Sequence, residues 1–292
     1  MKYLKLKRSH KLLLLMTILI CVIIFCYLQN NAIVLTDIKY INSKIPNNFN
    51  GYKILHVSDL HNKEFGNNQK NLIKEIKEIK PDIIVITGDL IDSRRTTVNE
   101  MDVAISFVKQ AIHIAPIYYV SGNHEERSGI YEELKIELEK CGVINLDDNS
   151  TIIELNGENI NLLGIADISF TPVDYMGNVS QYDFNERLEN IRAEVNHDFT
   201  ILLSHRPELI SIYSDHDIDL IFSGHAHGGQ VRLPFIPGLI APDQGFFPKH
   251  TSGIHKEGTT SIVISRGLGN SLFPLRVFNR PELVIVTLNN NN

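Results

Sequence analysis

The run 83-IIVITGD-89 decides how this chain reads. Ile83, Ile84, Val85 and Ile86 are consecutive, β-branched and apolar, so neither face of the segment suits water. That is the pattern of an interior strand in a mostly parallel sheet, covered on both sides. Pro81 stops the segment before it, and Gly88-Asp89 ends the strand on a carboxylate. Working outward, the same unit recurs. On the N-terminal side, 52-YKILHVS-58 is a β-like run ending at Asp59, with His61 two residues on. Residues 68–80 between the two runs carry helical periodicity through Leu72, Ile73, Ile76 and Ile79. On the C-terminal side, residues 98–112 read as a helix, and 117-IYYV-120 as a strand leading into Gly122-Asn123-His124. Residues 131–140 form the next helix. Strand and helix alternating in this way define an α/β class.

Further out the spacing changes. Residues 143–165 read as short strands with an Asn156-Gly157 hairpin turn, followed by a helix near 184–195. Then 199-FTILL-203 ends at Ser204-His205, and 218-IDLIF-222 leads to Gly224-His225-Ala226-His227. The last strands are expected at 260–265 and 283–288, and an early one at 33–40.

Five apolar strand-like runs thus end in ligand-type residues: Asp59 and His61; Asp89; Asn123 and His124; His205; His225 and His227. In α/β proteins, sites form where loops at the carboxyl ends of strands converge. Five such ends in one sheet bring these side chains within a few ångströms of one another. Singly, an Asp after a strand is an ordinary turn or cap residue, and a lone His is an ordinary packed one. Jointly those readings fail, because independent turns do not put a ligand type at every buried strand end. The remaining histidines (His10, His56, His113, His197, His216, His250 and His255) read as structural or surface residues. Carboxylates, an amide oxygen and imidazoles suit Mn²⁺, Zn²⁺ or Fe²⁺. The set exceeds what one tetrahedral ion needs, which predicts two divalent ions. Of the cysteines, Cys21, Cys26 and Cys141, only the last lies outside the apolar N-terminal segment, so neither a thiolate zinc site nor a disulfide framework is expected.

Residues 12–28, LLLLMTILICVIIFCYL, carry no charge. As a helix they span about 25 Å, close to the hydrocarbon core of a bilayer at about 30 Å. Lys2, Lys5, Lys7, Arg8 and Lys11 precede them, which keeps the N-terminus cytoplasmic and the rest extracytoplasmic. A cleaved signal peptide has a similar layout. The only small residue that follows, Ala32, comes after Gln29, Asn30 and Asn31 and makes a weak cleavage site, which favours an uncleaved, single-pass anchor. The chain therefore divides into a basic N-terminus and anchor, residues 1–30, and one catalytic domain, residues 31–292. With the five basic residues removed, a net charge of −6 becomes −11 for the remainder. So acidic a body is a poor partner for nucleic acid, and work on a phosphate requires concentrated local positive charge, which metal ions supply.

Asp59-Leu60-His61, Gly88-Asp89, Gly122-Asn123-His124-Glu125, His205 and Gly224-His225-Ala226-His227 resemble, in order and without a missing ligand, the five-block pattern of the calcineurin-like metallophosphoesterases. The anchor, Gly228-Gly229-Gln230 and residues 265–270 (SRGLGN) resemble the small membrane-associated bacterial branch, whose members are often labelled similar to UDP-2,3-diacylglucosamine hydrolases. The resemblance implies a four-layer α/β/β/α sandwich with the site at the sheet edge. It implies that Asp59, His61 and His227 hold one ion, that Asn123, His205 and His225 hold the other, and that Asp89 bridges them. His124 then stands near the phosphate as the catalytic residue without binding metal. Two ions about 3.5–4 Å apart lower the pKa of a bridging water, and the hydroxide attacks phosphorus in line.

The expected substrate is a phosphate ester of the membrane or cell envelope. A pyrophosphohydrolase acting on a nucleotide-linked lipid such as UDP-2,3-diacylglucosamine is the alternative, although an outward-facing domain does not meet a cytoplasmic nucleotide. A non-catalytic binding module on the same scaffold is disfavoured by the complete ligand set. The apolar stretch 232-RLPFIPGLIAPDQGFFP-248 reads as a packed loop or as a lipid-facing lip, and Arg266 and Arg276 as phosphate-binding or salt-bridging residues.

Overall fold

The computed structural model describes residues 8–171, 181–233, 235, 238–270 and 273–291. Lys2, Lys5 and Lys7 of the basic cluster, and Pro234, Ile236 and Pro237 of the apolar loop, lie outside them. The first half of the chain runs α1 (Arg8–Asn31), β1 (Val34–Ile41), β2 (Lys53–Val57), α2 (Lys70–Ile79), β3 (Ile83–Thr87), α3 (Asp102–Ala111), β4 (Ile117–Val120), α4 (Asn123–Ser128), α5 (Tyr131–Lys140) and β5 (Ile144–Asn145). The second half runs β6 (Asn149–Leu155), β7 (Glu158–Gly164), α6 (Gln181–Ala193), β8 (Thr200–Leu203), α7 (Ile210–Ser214), β9 (Leu220–Ser223), β10 (Ile240–Ala241), β11 (Gly245–Phe246), β12 (Gly253–Glu257), β13 (Thr260–Ile264) and β14 (Glu282–Asn289).

The strands form two six-stranded sheets, ordered β1-β14-β2-β3-β4-β5 and β12-β13-β9-β8-β7-β6. The single sheet expected from the five strand ends is therefore corrected: β2, β3 and β4 belong to one sheet, β8 and β9 to the other. The physical reason lies in side-chain alternation. Ile83 and Val85 point into a core shared between the sheets, where they meet Leu162, Ile201, Leu203 and Phe222. Ile84 and Ile86 point the other way, onto Leu72, Ile76, Phe107 and Leu134 of the helices α2, α3 and α5. In the second sheet Leu202 and Ile221 pack on Phe184, Leu188, Ile210 and Tyr213 of α6 and α7. Three apolar layers between four layers of structure give the α/β/β/α sandwich, and each all-apolar run is explained by having a core on both faces.

The chain passes from the first sheet to the second between β5 and β6, at residues 146–148, and the β6–β7 hairpin then starts the second sheet at its edge. Asn156 and Gly157 both take positive φ, 50° and 82°, which is the tight turn that matches strand twist. The helix read at 98–112 is broken near its start. Thr97 and Glu100 cap each other, a short 3₁₀ turn spans Val98–Glu100, and α3 proper begins at Asp102. The edge strand β12, paired antiparallel with β13, was not visible in the sequence pattern.

His56, read as structural or surface, is structural. It is wholly buried on β2, its ring lies on Phe222 at 5.2 Å, and Nε2 donates to Thr87 Oγ1 at 2.8 Å. Burial pushes its pKa from 6.5 down to about 3, so the folded ring is neutral. Between those values only the unfolded chain holds the extra proton, so stability falls as pH drops from 6.5 toward 3. His56→Gln is expected to move the acid unfolding midpoint to lower pH, followed by circular dichroism in EDTA. An unchanged midpoint would place the acid-sensitive group elsewhere.

The helix α1 is long and apolar enough to cross a membrane, and its apolar stretch is not buried against the rest of the described chain. At 24 residues it is about 36 Å long.

Candidate metal centre

The loops after β2 and β3 continue side by side where the strands stop. Asp59 N–H donates to Gly88 O (3.1 Å), His61 N–H to Asp89 O (2.9 Å) and Asn62 N–H to Leu90 O (2.9 Å). This pairing bends the chain sharply. Asp59, His61 and Asp89 have φ of 52°, 47° and 53°, and across the cleft His225 and His227 have 63° and 46°. Left-handed backbone at a non-glycine residue costs about 1–2 kcal/mol, and its concentration here marks a functional site. The neighbouring glycines leave no room for side chains. A Cβ on Gly224 would stand 2.4 Å from Asp59 Oδ2, and one on Gly122 would stand 2.4 Å from Asp89 Oδ1.

All seven residues expected as metal ligands converge, and all are buried. Asp59, His61, Asp89 and His227 place ligand atoms within 4.8 Å of one another, and Asp89, His205 and His225 do likewise. His61 Nε2 lies 3.2 Å from His227 Nε2, and His227 Nε2 lies 3.4 Å from Asp59 Oδ1. On the other side His205 Nε2 is 3.2 Å from Asn123 Oδ1 and 3.1 Å from His225 Nδ1. Asp89 Oδ2 sits between the two groups, 3.5 Å from His61 Nε2 and 3.4 Å from His205 Nε2. Its other oxygen, Oδ1, accepts the His124 backbone N–H at 2.9 Å, which fixes the direction in which Oδ2 points.

The donor set fits a cation for a further reason. His205 Nδ1 donates to Thr87 O at 2.7 Å, so its Nε2 is a bare lone pair. His225 Nε2 donates to Asp243 Oδ2 at 3.0 Å, so its Nδ1 is bare as well. With both rings neutral, these two nitrogens therefore face Asn123 Oδ1 and Asp89 Oδ2 with no proton to share among them, a deficit that only added positive charge relieves. His61 and His227 turn Nε2 toward each other, and one proton satisfies only one of the two. Positive charge is what such a cluster lacks. The same deficit acts on His205: burial opposes a charge on the ring, but Asp89, Asp59 and Asp167 outweigh it and push the imidazole up to about 10. At His61, burial prevails and holds the ring down to about 3.

His124 stands at the rim. Its Nε2 is 4.0 Å from Asp89 Oδ2, and its ring is 4.5 Å from that of His61. The Ser93 backbone N–H donates to Nδ1 at 3.1 Å, with Asp92 Oδ1 at 3.6 Å. Burial, ahead of the pull of Asp89 and Asp92, lowers its pKa, so the ring is neutral with its proton on Nε2, facing the site. Glu125 supports both sides of this corner: its carboxylate accepts N–H groups of Gly122, Asp89, Leu90 and Ile91.

Sequence reasoning missed Asp92, Ser93 and Asp243. The first two follow Asp89 closely, in GDLIDS, which was the available signal. Asp243 is the only acid in the apolar stretch 232–248, and it also pairs with Arg206. The two arginines read as phosphate ligands are otherwise engaged. Arg266 pairs with Glu282 Oε1 at 2.8 Å. Arg276 is buried, and its guanidinium donates to the carbonyls of Gly269, Arg266 and Asn279. Neither offers an open fork to a substrate, because an arginine buried in this way is fully used in satisfying backbone oxygens. The other histidines set aside in the sequence that lie in the described residues stand outside the cluster; His250 and His255, for example, pack on each other at 5.3 Å.

Comparison with known proteins agrees with this geometry. Residues 52–229, from the start of β2 past His227, match the calcineurin-like phosphoesterase family. The Bacillus subtilis metallophosphoesterase YkuE is 32% identical over 91% of this chain and 89% of its own. The Escherichia coli phosphodiesterase YaeI is 26% identical over 81% of this chain and 82% of its own. A Danio rerio transmembrane protein with a metallophosphoesterase domain is 26% identical over 86% of this chain, which spans 56% of that protein's length. Proteins of the family use divalent metals, and the cluster described above lies inside the matched region. From its two-sheet core to its converging Asp, Asn and His side chains, this chain belongs to the calcineurin-like phosphoesterase family.

Proposed function

We propose that the protein is a two-metal phosphoesterase that hydrolyses a phosphate ester at the membrane or cell envelope. Asp59, His61 and His227 hold one ion, Asn123, His205 and His225 hold the other, and Asp89 is shared. The observation that supports this reading is Asp89 Oδ2, within 3.5 Å of a ligand-type ring nitrogen on each side, His61 Nε2 and His205 Nε2. Two divalent ions, of the Mn²⁺, Zn²⁺ or Fe²⁺ kind, supply an activated water and a clamp on the phosphoryl oxygens when bound. The chain's own contributions are distinct from these. Thr87 O and Asp243 orient the rings of His205 and His225. The Ser93 N–H keeps the proton of His124 on Nε2, where it can be given to the leaving oxygen or shared with a phosphoryl oxygen.

Residues 31–292 form the catalytic unit and residues 1–30 the basic N-terminus and anchor. The basic residues ahead of α1 favour a single-pass topology in the cell membrane with the catalytic unit extracytoplasmic. The transmembrane designation of the Danio rerio relative supports the anchor. A test on the full chain in detergent is direct: metal content by mass spectrometry, and hydrolysis of bis-p-nitrophenyl and p-nitrophenyl phosphate with and without Mn²⁺. About two ions per chain and turnover that EDTA abolishes and Mn²⁺ restores are expected. Turnover indifferent to EDTA, or a chain with neither metal nor turnover, would reject the assignment.

A further inference from the structure

We propose that the rim of the metal centre rests on the lipid bilayer that α1 crosses, so that the site faces headgroup phosphates rather than bulk water. The inference rests on reading α1 as membrane-spanning. Its first ground is where α1 ends. Asn30, in its last turn, accepts through Oδ1 from the Arg276 N–H (3.2 Å) and Asn270 Nδ2 (3.0 Å), and its backbone oxygen accepts from Lys63 Nζ. Arg280 Nε then holds Ala32 O at 2.8 Å. These partners adjoin the metal ligands. Lys63 follows His61 by two residues. Asn270 follows Gly269, whose N–H donates to Asp59 O at 2.5 Å. Asn279, beside Arg280, donates through Nδ2 to His227 O at 2.7 Å. The helix thus leaves the domain beside the centre.

The second ground is a ridge of exposed apolar side chains built onto the same segment. Phe278 stacks edge-on against Phe25 of α1, with ring centroids 5.4 Å apart, yet remains 54% exposed. Next to it Val277 bridges to Val231, Val231 O accepts from Leu239 N–H, and Leu239 O accepts from Phe247 N–H at 2.9 Å. This backbone ladder carries the apolar surface from α1 to the β10–β11 hairpin, where Phe246 and Phe247 are 72% and 67% exposed. Exposed apolar residues scattered singly need no explanation, but a connected set beside a binding site does. Its continuity with a helix that is itself apolar on all faces identifies the occupant as acyl chain and headgroup boundary. The hairpin also contributes Asp243, the partner of His225, so the docked lip and the centre share one segment. The substrate class that follows is a phosphate ester carried on a lipid in that bilayer.

The chain contains no tryptophan, so a single one reports its own surroundings. Phe247→Trp and Phe278→Trp full-length proteins would be reconstituted into phosphatidylcholine and phosphatidylglycerol vesicles containing lipids brominated high on the acyl chain. Ile152→Trp, at an exposed position on the edge strand β6 of the second sheet, is the water-facing control. Co-flotation with the vesicles, blue-shifted emission and at least twofold quenching at 247 and 278, with none at 152, are expected. Co-flotation without quenching at 247 and 278 would overturn the docking while leaving the phosphoesterase reading intact. Failure to float would overturn the anchor and this inference together. Catalysis enters none of these readouts.

Discussion

Asp89→Ala is expected to strip the centre of metal and abolish phosphoester hydrolysis together. Its side chain reaches both halves of the cluster: Oδ2 stands 3.5 Å from His61 Nε2 and 3.4 Å from His205 Nε2. Without it, the His205 and His225 half has no carboxylate ligand of its own, the other half keeps only Asp59, and nothing ties the two together. The loss is also structural in a local sense, since Oδ1 receives the backbone N–H of His124 and so sets the start of α4. Activity on bis-p-nitrophenyl phosphate should fall by at least about 10³-fold, because ion binding and water activation are removed in one step. Asp89→Asn separates the two effects, as it retains an acceptor for His124 and discards the charge. Both variants should show a depressed metal content by mass spectrometry. An Ala variant with its full complement of ions and wild-type turnover would refute the shared-ligand assignment.

His124→Ala should behave in the opposite way on one axis. Its Nδ1 is taken by the Ser93 N–H, and its Nε2 is turned toward the rim, 4.0 Å from Asp89 Oδ2. Removing the ring deletes a proton donor and leaves all seven ligands in place. Metal content should stay near that of the wild type while kcat falls by about 10²- to 10⁴-fold, the range for general acid catalysis. The loss should be largest for the ester with the most basic leaving group, because a good leaving group needs no proton. Loss of metal in this variant would make His124 a ligand and overturn its assigned role.

Much of this arrangement was legible in the chain. Each all-apolar run announced a strand with two covered faces, and each run ended in a side chain that binds cations. What the runs could not reveal was their partition between two sheets. Ile83–Thr87 and Leu220–Ser223 look alike because both are sandwiched, one between helices and the partner sheet, the other in the mirror arrangement. The division depends on the crossing between β5 and β6 and on the return of β14 to pair with β1 and β2, long-range choices that adjacent residues do not encode. The supporting residues were hidden for a different reason. Ser93 and Asp243 each hydrogen-bond a ring that is already in place, Asp92 stands 3.6 Å from His124 Nδ1, and only the folded loops bring them there. Arg276 does neither of the things expected of it, because burial turned the guanidinium fork that could bind phosphate or an acid onto backbone carbonyls.

The left-handed backbone at Asp59, His61, Asp89, His225 and His227 has an evolutionary consequence. Glycine adopts that conformation without penalty, so a glycine at any of these five positions would relieve about 1 kcal/mol of backbone strain while deleting a side chain the proposed site needs. At these places backbone strain and chemistry pull apart, and the strain is tolerated for the side chain it presents. A lineage released from hydrolysis would be expected to lose the left-handed side chains that hold no backbone group in place, His61 and His227, before Asp59 and Asp89, which accept backbone N–H groups. This chain has a ligand-type side chain, Asp or His, at all five.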